Sequence, residues 1–178
     1  MRQSSRIEND AWRWCKYFHR GQKRKYTNEP YETHPRGVWM ILNDVLGEDY
    51  NELVGVAALL HDTVEDTPCT LSAIAAHFGD KVACWVAWCT DIATPQHGNR
   101  KQRTTLNRMH LSLAPTEAKN IKVADLIHNT SSIVQHDPNF AKVYMDEKEE
   151  VLHHLGEAHP ELLTRAWRQI REYQDSQD

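Results

Sequence analysis

The chain has 178 residues, 40% of them hydrophobic and 26% charged, with a formal net charge of −4. That length suits one domain with a continuous core, and the acidic balance speaks against a general nucleic-acid binder. No apolar run approaches the roughly 20 residues that cross a bilayer, so no membrane partner is expected.

The N-terminal stretch MRQSSRIENDAWRW lacks the apolar centre of a signal peptide. Cys15, Cys69, Cys84 and Cys89 are irregularly spaced, as reduced thiols usually are. On both features a cytoplasmic location is expected.

Periodicity is helical nearly throughout. The first amphipathic segment is 8–19, with Ala11, Trp12, Cys15 and Phe18 on one face and Gly21 ending it. The run HRGQKRK (19–25) then groups Arg20, Lys23, Arg24 and Lys25. It reads either as a solvated helix end or as a phosphate pocket. A second helix is expected over 33–46, with Thr33 as N-cap and Pro35 in its first turn. A third runs over 51–66 and stops before Pro68. Thr70 caps 71–78, Gly79-Asp80 separates it from 80–92, and ATPQHGN (93–99) is a loop. Helices over 100–112, 116–134, 139–156 and 160–174 complete the chain, the last three opening near Pro115, Pro138 and Pro160. These elements predict an all-α, single-domain protein spanning 1–178.

The third helix carries the chemistry. Positions four apart share a helix face, giving the lines Leu53-Ala57-His61-Glu65 and Val54-Ala58-Asp62-Asp66. Each begins small and apolar and ends ionisable, and buried carboxylates demand a partner. A cation answers that demand. His61 and Asp62 offer it nitrogen and oxygen, a mixture that suits manganese, iron or zinc. Glu65 and Asp66, one turn on, are then free for proton transfer with water the ion activates. The alternative is a helix end whose acids reach solvent against the macrodipole. Asp125, among Ile121, Val123, Ala124, Leu126 and Ile127, needs a partner for the same reason, and His34 in YETHP is a further candidate. Ligands drawn from separate helices are how metal sites in helical cores are built.

Together HRGQKRK, YETHP, ALLHDTVEDT, HFG (77–79) and KVADLIHN (122–129) resemble the hydrolase domain of the RelA/SpoT family, within the HD-domain phosphohydrolases. The likeness covers about 8–135, is loose over 92–118, and leaves no stretch for the synthetase or regulatory domains of the long members. The resemblance is thus to the small stand-alone alarmone hydrolases. It implies an HD-domain fold with a metal site in the helical core: manganese held by His34, His61, Asp62 and Asp125. It further implies hydrolysis of the 3′-pyrophosphate of (p)ppGpp to GDP or GTP and pyrophosphate, the small-molecule guanosine polyphosphate being the partner. Glu65 and Asp66 fall on the family's catalytic acidic pair. Arg24 and Lys25 fall on the basic pair along the base, Asn129 on the nucleoside contact, and Ser132 lies three residues beyond it. Arg100, Lys101 and Arg103 follow the 93–99 loop and could meet the pyrophosphate. Lys142 and Tyr144 could close the other side, since the resembled family has a basic and a tyrosyl contact near there; for these five residues a solvated face is the alternative. His97, His110, His128, His136 and the histidines of 153–159 match no ligand position and read as surface or packing residues. Three other readings stay open: hydrolysis of another phosphorylated nucleotide such as NADPH, a catalytically silent alarmone sensor, and a purely structural helical protein. Intact Glu65 and Asp66 weigh against the sensor, and Asp62 and Asp125 against the structural protein.

Overall fold

Residues 3–177 are described by the structure, a computed structural model, and they are helical with no β-strand among them. The backbone divides into two compact units, Met1–Thr90 and Asp91–Asp178.

The first unit holds α1 (Arg6–Phe18), α2 (Thr33–Val45), α3 (Glu52–Leu60), α4 (Thr63–Asp66), α5 (Leu71–Phe78) and α6 (Asp80–Cys89). Its centre is α3, where Val54 to Leu60 are all buried. A helix apolar on every side has to be surrounded, and α1, α2 and α6 all pack on it. Asn51 caps it by accepting from the Leu53 amide at 2.9 Å.

The observed α3 corrects the expected 51–66 helix. It stops at Leu60, and a separate turn, α4, begins at Thr63. Helix α1 begins at Arg6, ahead of the expected 8–19 segment, and Ser5 caps it with a full capping box to Glu8. The cap of α2 differs from the expected Thr33. Glu32 precedes α2, while Thr33 Oγ1 donates back to Pro30 O at 2.8 Å. Helix α6 ends at Cys89 rather than 92, because the amides of Ile92 and Ala93 bond to Asn107 Oδ1 instead.

Glu8 is fully buried. Its carboxylate accepts from the Ser5 amide at 2.6 Å, from Trp39 Nε1 at 3.0 Å and from the Tyr50 hydroxyl, ties that meet the demand of a buried charge. Gly55 on α3 lies under this knot: a Cβ there would come within 2.5 Å of Glu8 Oε1 and overlap the Tyr50 hydroxyl.

The second unit holds α7 (Arg100–Ser112), α8 (Thr116–His136), α9 (Pro138–Leu152) and α10 (Pro160–Asp175), with α8, α9 and α10 packed on one another. Helix α9 is shorter than the expected 139–156, since residues 153–158 turn to bury Leu155. Lys148 of α9 is 1% exposed and ties the three helices together. Its Nζ donates to Thr130 Oγ1 of α8 at 2.8 Å and to Gln169 Oε1 of α10 at 2.7 Å. Gln169 Nε2 in turn donates to Ile127 O at 3.1 Å. Burial pushes the Lys148 ammonium down from 10.5 to about 7. Among the described residues no helix is long and apolar enough to cross a membrane.

Two outcomes follow from these buried groups. Gly55→Ala should destabilise the protein by roughly 1–3 kcal/mol through overpacking, despite alanine's advantage of about 1 kcal/mol in a helix; urea denaturation reads it. For Lys148, between pH 7 and 10.5 the unfolded chain holds a proton that the folded one lacks, so stability rises with pH across that window. Lys148→Met should flatten that rise, seen as a parent-minus-variant difference that grows in the parent's favour from pH 7 to pH 10.

Candidate metal and catalytic site

The break between α3 and α4 shapes the first half of the site. His61 is the C-cap of α3, and Asp62 sits at φ −92°, ψ −7°, outside regular helix, before α4 restarts. Consecutive residues inside a helix point about 100° apart. At this break they converge, and His61 Nε2 lies 3.0 Å from Asp62 Oδ1. His34, in the first turn of α2, brings its Nε2 to 3.4 Å from Asp62 Oδ2. Both imidazoles are buried, at 2% and 1% exposure, and their ring centroids are 5.2 Å apart.

The donor set carries a clear chemical demand. His61 Nδ1 is 2.8 Å from Ala58 O, which can only accept, so Nδ1 bears the proton. Nε2 then offers a lone pair toward a carboxylate oxygen. Such a pair is held together by an added proton or by a cation. Two imidazole nitrogens around one carboxylate fit a first-row divalent ion. Burial is the largest single influence on Asp62 and opposes ionisation, but His61 and then His34 outweigh it and hold the carboxyl well below its usual range. Tyr31 adds a third contact, its hydroxyl donating to Asp62 Oδ2 at 2.8 Å. Burial, and next the Asp62 charge, push the Tyr31 phenol far up, so it stays a donor.

Glu65 and Asp66 are exposed on α4, one turn beyond the pair. They do not continue a helix face from His61, as the unbroken 51–66 helix would have had them. The Asp66 amide donates to Asp62 O at 2.9 Å, which keeps α4 against the break. In the 19–31 loop the basic pair diverges. The Arg24 guanidinium stands 5.8 Å over the Tyr31 ring, while Lys25 Nζ lies 4.7 Å over Tyr26 and donates to its hydroxyl.

The second unit places its own candidates on α8. Asp125 is buried, accepts from Asn129 Nδ2 on Oδ1 at 2.6 Å, and pairs through Oδ2 with Lys122 Nζ at 3.0 Å. Ser132 Oγ donates to Asn129 O at 3.1 Å, and the Tyr144 hydroxyl of α9 to Leu126 O at 3.1 Å. Arg100 is engaged bidentately by Glu147 at 2.8 and 2.7 Å. Arg103 donates to Gly98 O at 2.7 Å, and Lys101 and Lys142 are exposed.

Sequence reasoning passed over Tyr31, His19 and Lys122. All three lie inside the quoted stretches HRGQKRK, YETHP and KVADLIHN, so the signal was there. The exposed basic neighbours simply read more loudly than a tyrosine and a histidine that the fold turns inward.

Known proteins are similar to this chain in sequence and in fold. Residues 11–160 match the HD domain family. A Mus musculus guanosine-3′,5′-bis(diphosphate) 3′-pyrophosphohydrolase is 41% identical over 112 residues, 62% of this chain and 60% of that protein. A Streptomyces coelicolor protein named GTP pyrophosphokinase is 41% identical over 130 residues, 72% of this chain but 14% of that protein. The matched stretch therefore spans less than two thirds of the mouse protein and about a seventh of the Streptomyces one. Among solved structures, one described as a metazoan ortholog of SpoT that hydrolyzes ppGpp superposes with a TM-score of 0.84 at 25% identity, covering 97% of this chain and 98% of that one. With most of its length matched and the His61-Asp62 pair at the heart of its first unit, the chain belongs to the HD-domain family.

Proposed function

We propose that the chain is a manganese-dependent 3′-pyrophosphohydrolase of ppGpp and pppGpp. The observation that carries this reading is the buried His34–Asp62–His61 set, whose lone pairs call for a cation. Relatives named for that reaction supply the substrate. The proposed ligands are His34, His61 and Asp62, with Asp125 of the second unit as the fourth. When bound, the ion supplies Lewis acidity and makes nearby water acidic enough to attack near neutral pH.

The remaining work falls to the chain. The water oxygen bonds to the phosphorus attached at the 3′ oxygen, and the 3′ O–P bond breaks. Pyrophosphate departs, and the nucleoside 3′ oxygen takes up a proton. Glu65 and Asp66, exposed on α4 beside the ligand pair, are the groups that accept the water's proton and return one to the leaving oxygen. Arg24 is suited to lie along the base, since it already presents its guanidinium to a π-face at Tyr31. Lys25 adds positive charge nearby, and Asn129, with Ser132 beside it, meets the nucleoside. Lys101, Arg103, Lys142 and Tyr144 are the proposed contacts to the phosphates. Arg100 can join them only by exchanging Glu147 for phosphate oxygens.

The decisive assay is purified protein with ppGpp and manganese, with and without chelator, resolved by chromatography. Chelator-sensitive release of GDP and pyrophosphate is expected. Intact ppGpp beside a bound metal would sink the substrate assignment and turn attention to other phosphorylated nucleotides such as NADPH. In the same assay Asp62→Ala should lose metal, counted by elemental analysis, together with turnover. Glu65→Ala and Asp66→Ala should keep the metal and lose about 10²–10⁴-fold in turnover, the usual scale for a proton-transfer group. Full activity in either acid variant would refute its role.

A further inference from the structure

The 19–31 loop contains groups that the reaction as described does not use. His19, at the end of α1, is fully buried, and its ring stacks on Tyr31 with centroids 4.7 Å apart and planes at 24°. Its Nδ1 is 2.7 Å from Gln22 Oε1, and Gln22 Nε2 donates to Asp66 O at 2.9 Å. The second bond fixes the amide's orientation, so Oε1 accepts from a protonated Nδ1. The His19 Nε2 is buried without a hydrogen-bond partner. A buried ring nitrogen left so is costly, and a phenyl ring would stack as well without that cost. What the imidazole adds is the link from Tyr31 to Gln22, and through it to the backbone of α4.

Tyr31 is anchored on both sides of that stack. Its amide donates to Gln22 O at 3.1 Å, and its carbonyl accepts from the His34 amide at 2.9 Å. Its ring meets the His34 ring edge-on at 6.0 Å, and its hydroxyl holds Asp62 Oδ2. One side chain thus touches two of the three ligand candidates in the first unit.

We infer that Tyr31 is a positioning residue for Asp62: its hydroxyl sets the carboxylate's rotation, and His19 with Gln22 holds the tyrosine in place. The inference rests on the metal reading of His34, His61 and Asp62. Groups that hydrogen-bond a ligand's own atoms commonly change metal affinity by about 10–100-fold when removed. Without the hydroxyl, Asp62 Oδ2 keeps the longer 3.4 Å approach of His34, and the carboxylate's closest tie is His61 at Oδ1, so its rotation is less firmly set.

The test is calorimetric titration of the metal-stripped protein with manganese, alongside the visible absorption of the cobalt-loaded form. Tyr31→Phe keeps the ring and its stack, and should bind manganese about 10-fold or more weakly, with a shifted cobalt spectrum and an unchanged far-UV dichroism. His19→Ala keeps the hydroxyl but removes the stack, and should weaken binding in the same direction by less. Tyr31→Phe with parental affinity and parental cobalt spectrum overturns the positioning role and leaves the metal site standing. A parental protein that binds neither metal overturns the metal reading and this inference with it.

Discussion

A carboxylate set between two buried imidazoles is the constraint around which the first unit is organised. Asp62 cannot sit beside His34 and His61 in this state without a compensating positive charge, whether a proton or an ion. Everything nearby serves to keep those groups in place. The α3 helix, apolar from Leu53 on, carries His61 to the edge of the core, Pro35 and the Tyr31 carbonyl start α2 so that His34 faces inward, and the break before α4 turns Asp62 back toward its neighbour. Packing energy from α3 is what holds ionisable groups where solvation alone would never put them.

Much of this was legible in the sequence. The helical period, the Thr70 cap, the Pro-marked starts of α9 and α10 and the span of α7 all follow from local rules, because capping and propensity act within a few residues. His61, Asp62 and Asp125 stood out because ionisable residues in apolar surroundings contradict the pattern around them. What escaped was set by distant partners. Glu8 reads as a surface acid near a helix start, and only Trp39 and Tyr50, 31 and 42 residues away, make it a core residue. Lys148, in a run of charged residues on α9, reads as solvated, yet Thr130 and Gln169 receive it in the interior. The helix break at 61–62 carries no glycine or proline to announce it.

Glu8 and Lys148 illustrate one tactic used in both units. Each is an ionisable group taken inside, with neutral hydrogen-bond partners brought to it from other helices or turns. Such groups add little net stability, but they penalise any packing in which their partners fail to meet. In the first unit that selects one placement of α1 against α2 and α3, and in the second one register of α8, α9 and α10.

The meeting of His61 and Asp62 at a helix break has a consequence for how such a site tolerates change. The two residues are adjacent in the chain, so their backbones are tied by a single peptide linkage, and the side-chain torsions are held locally by Ala58 O and by the Tyr31 hydroxyl. Substitutions that slide α2 against α3 by an ångström would displace His34 relative to the pair, but would leave the two neighbours adjacent. A pair of neighbours of this kind keeps its spacing when the surrounding core is repacked. His34, which comes from a separate helix, is the group whose placement substitutions between α2 and α3 have to respect.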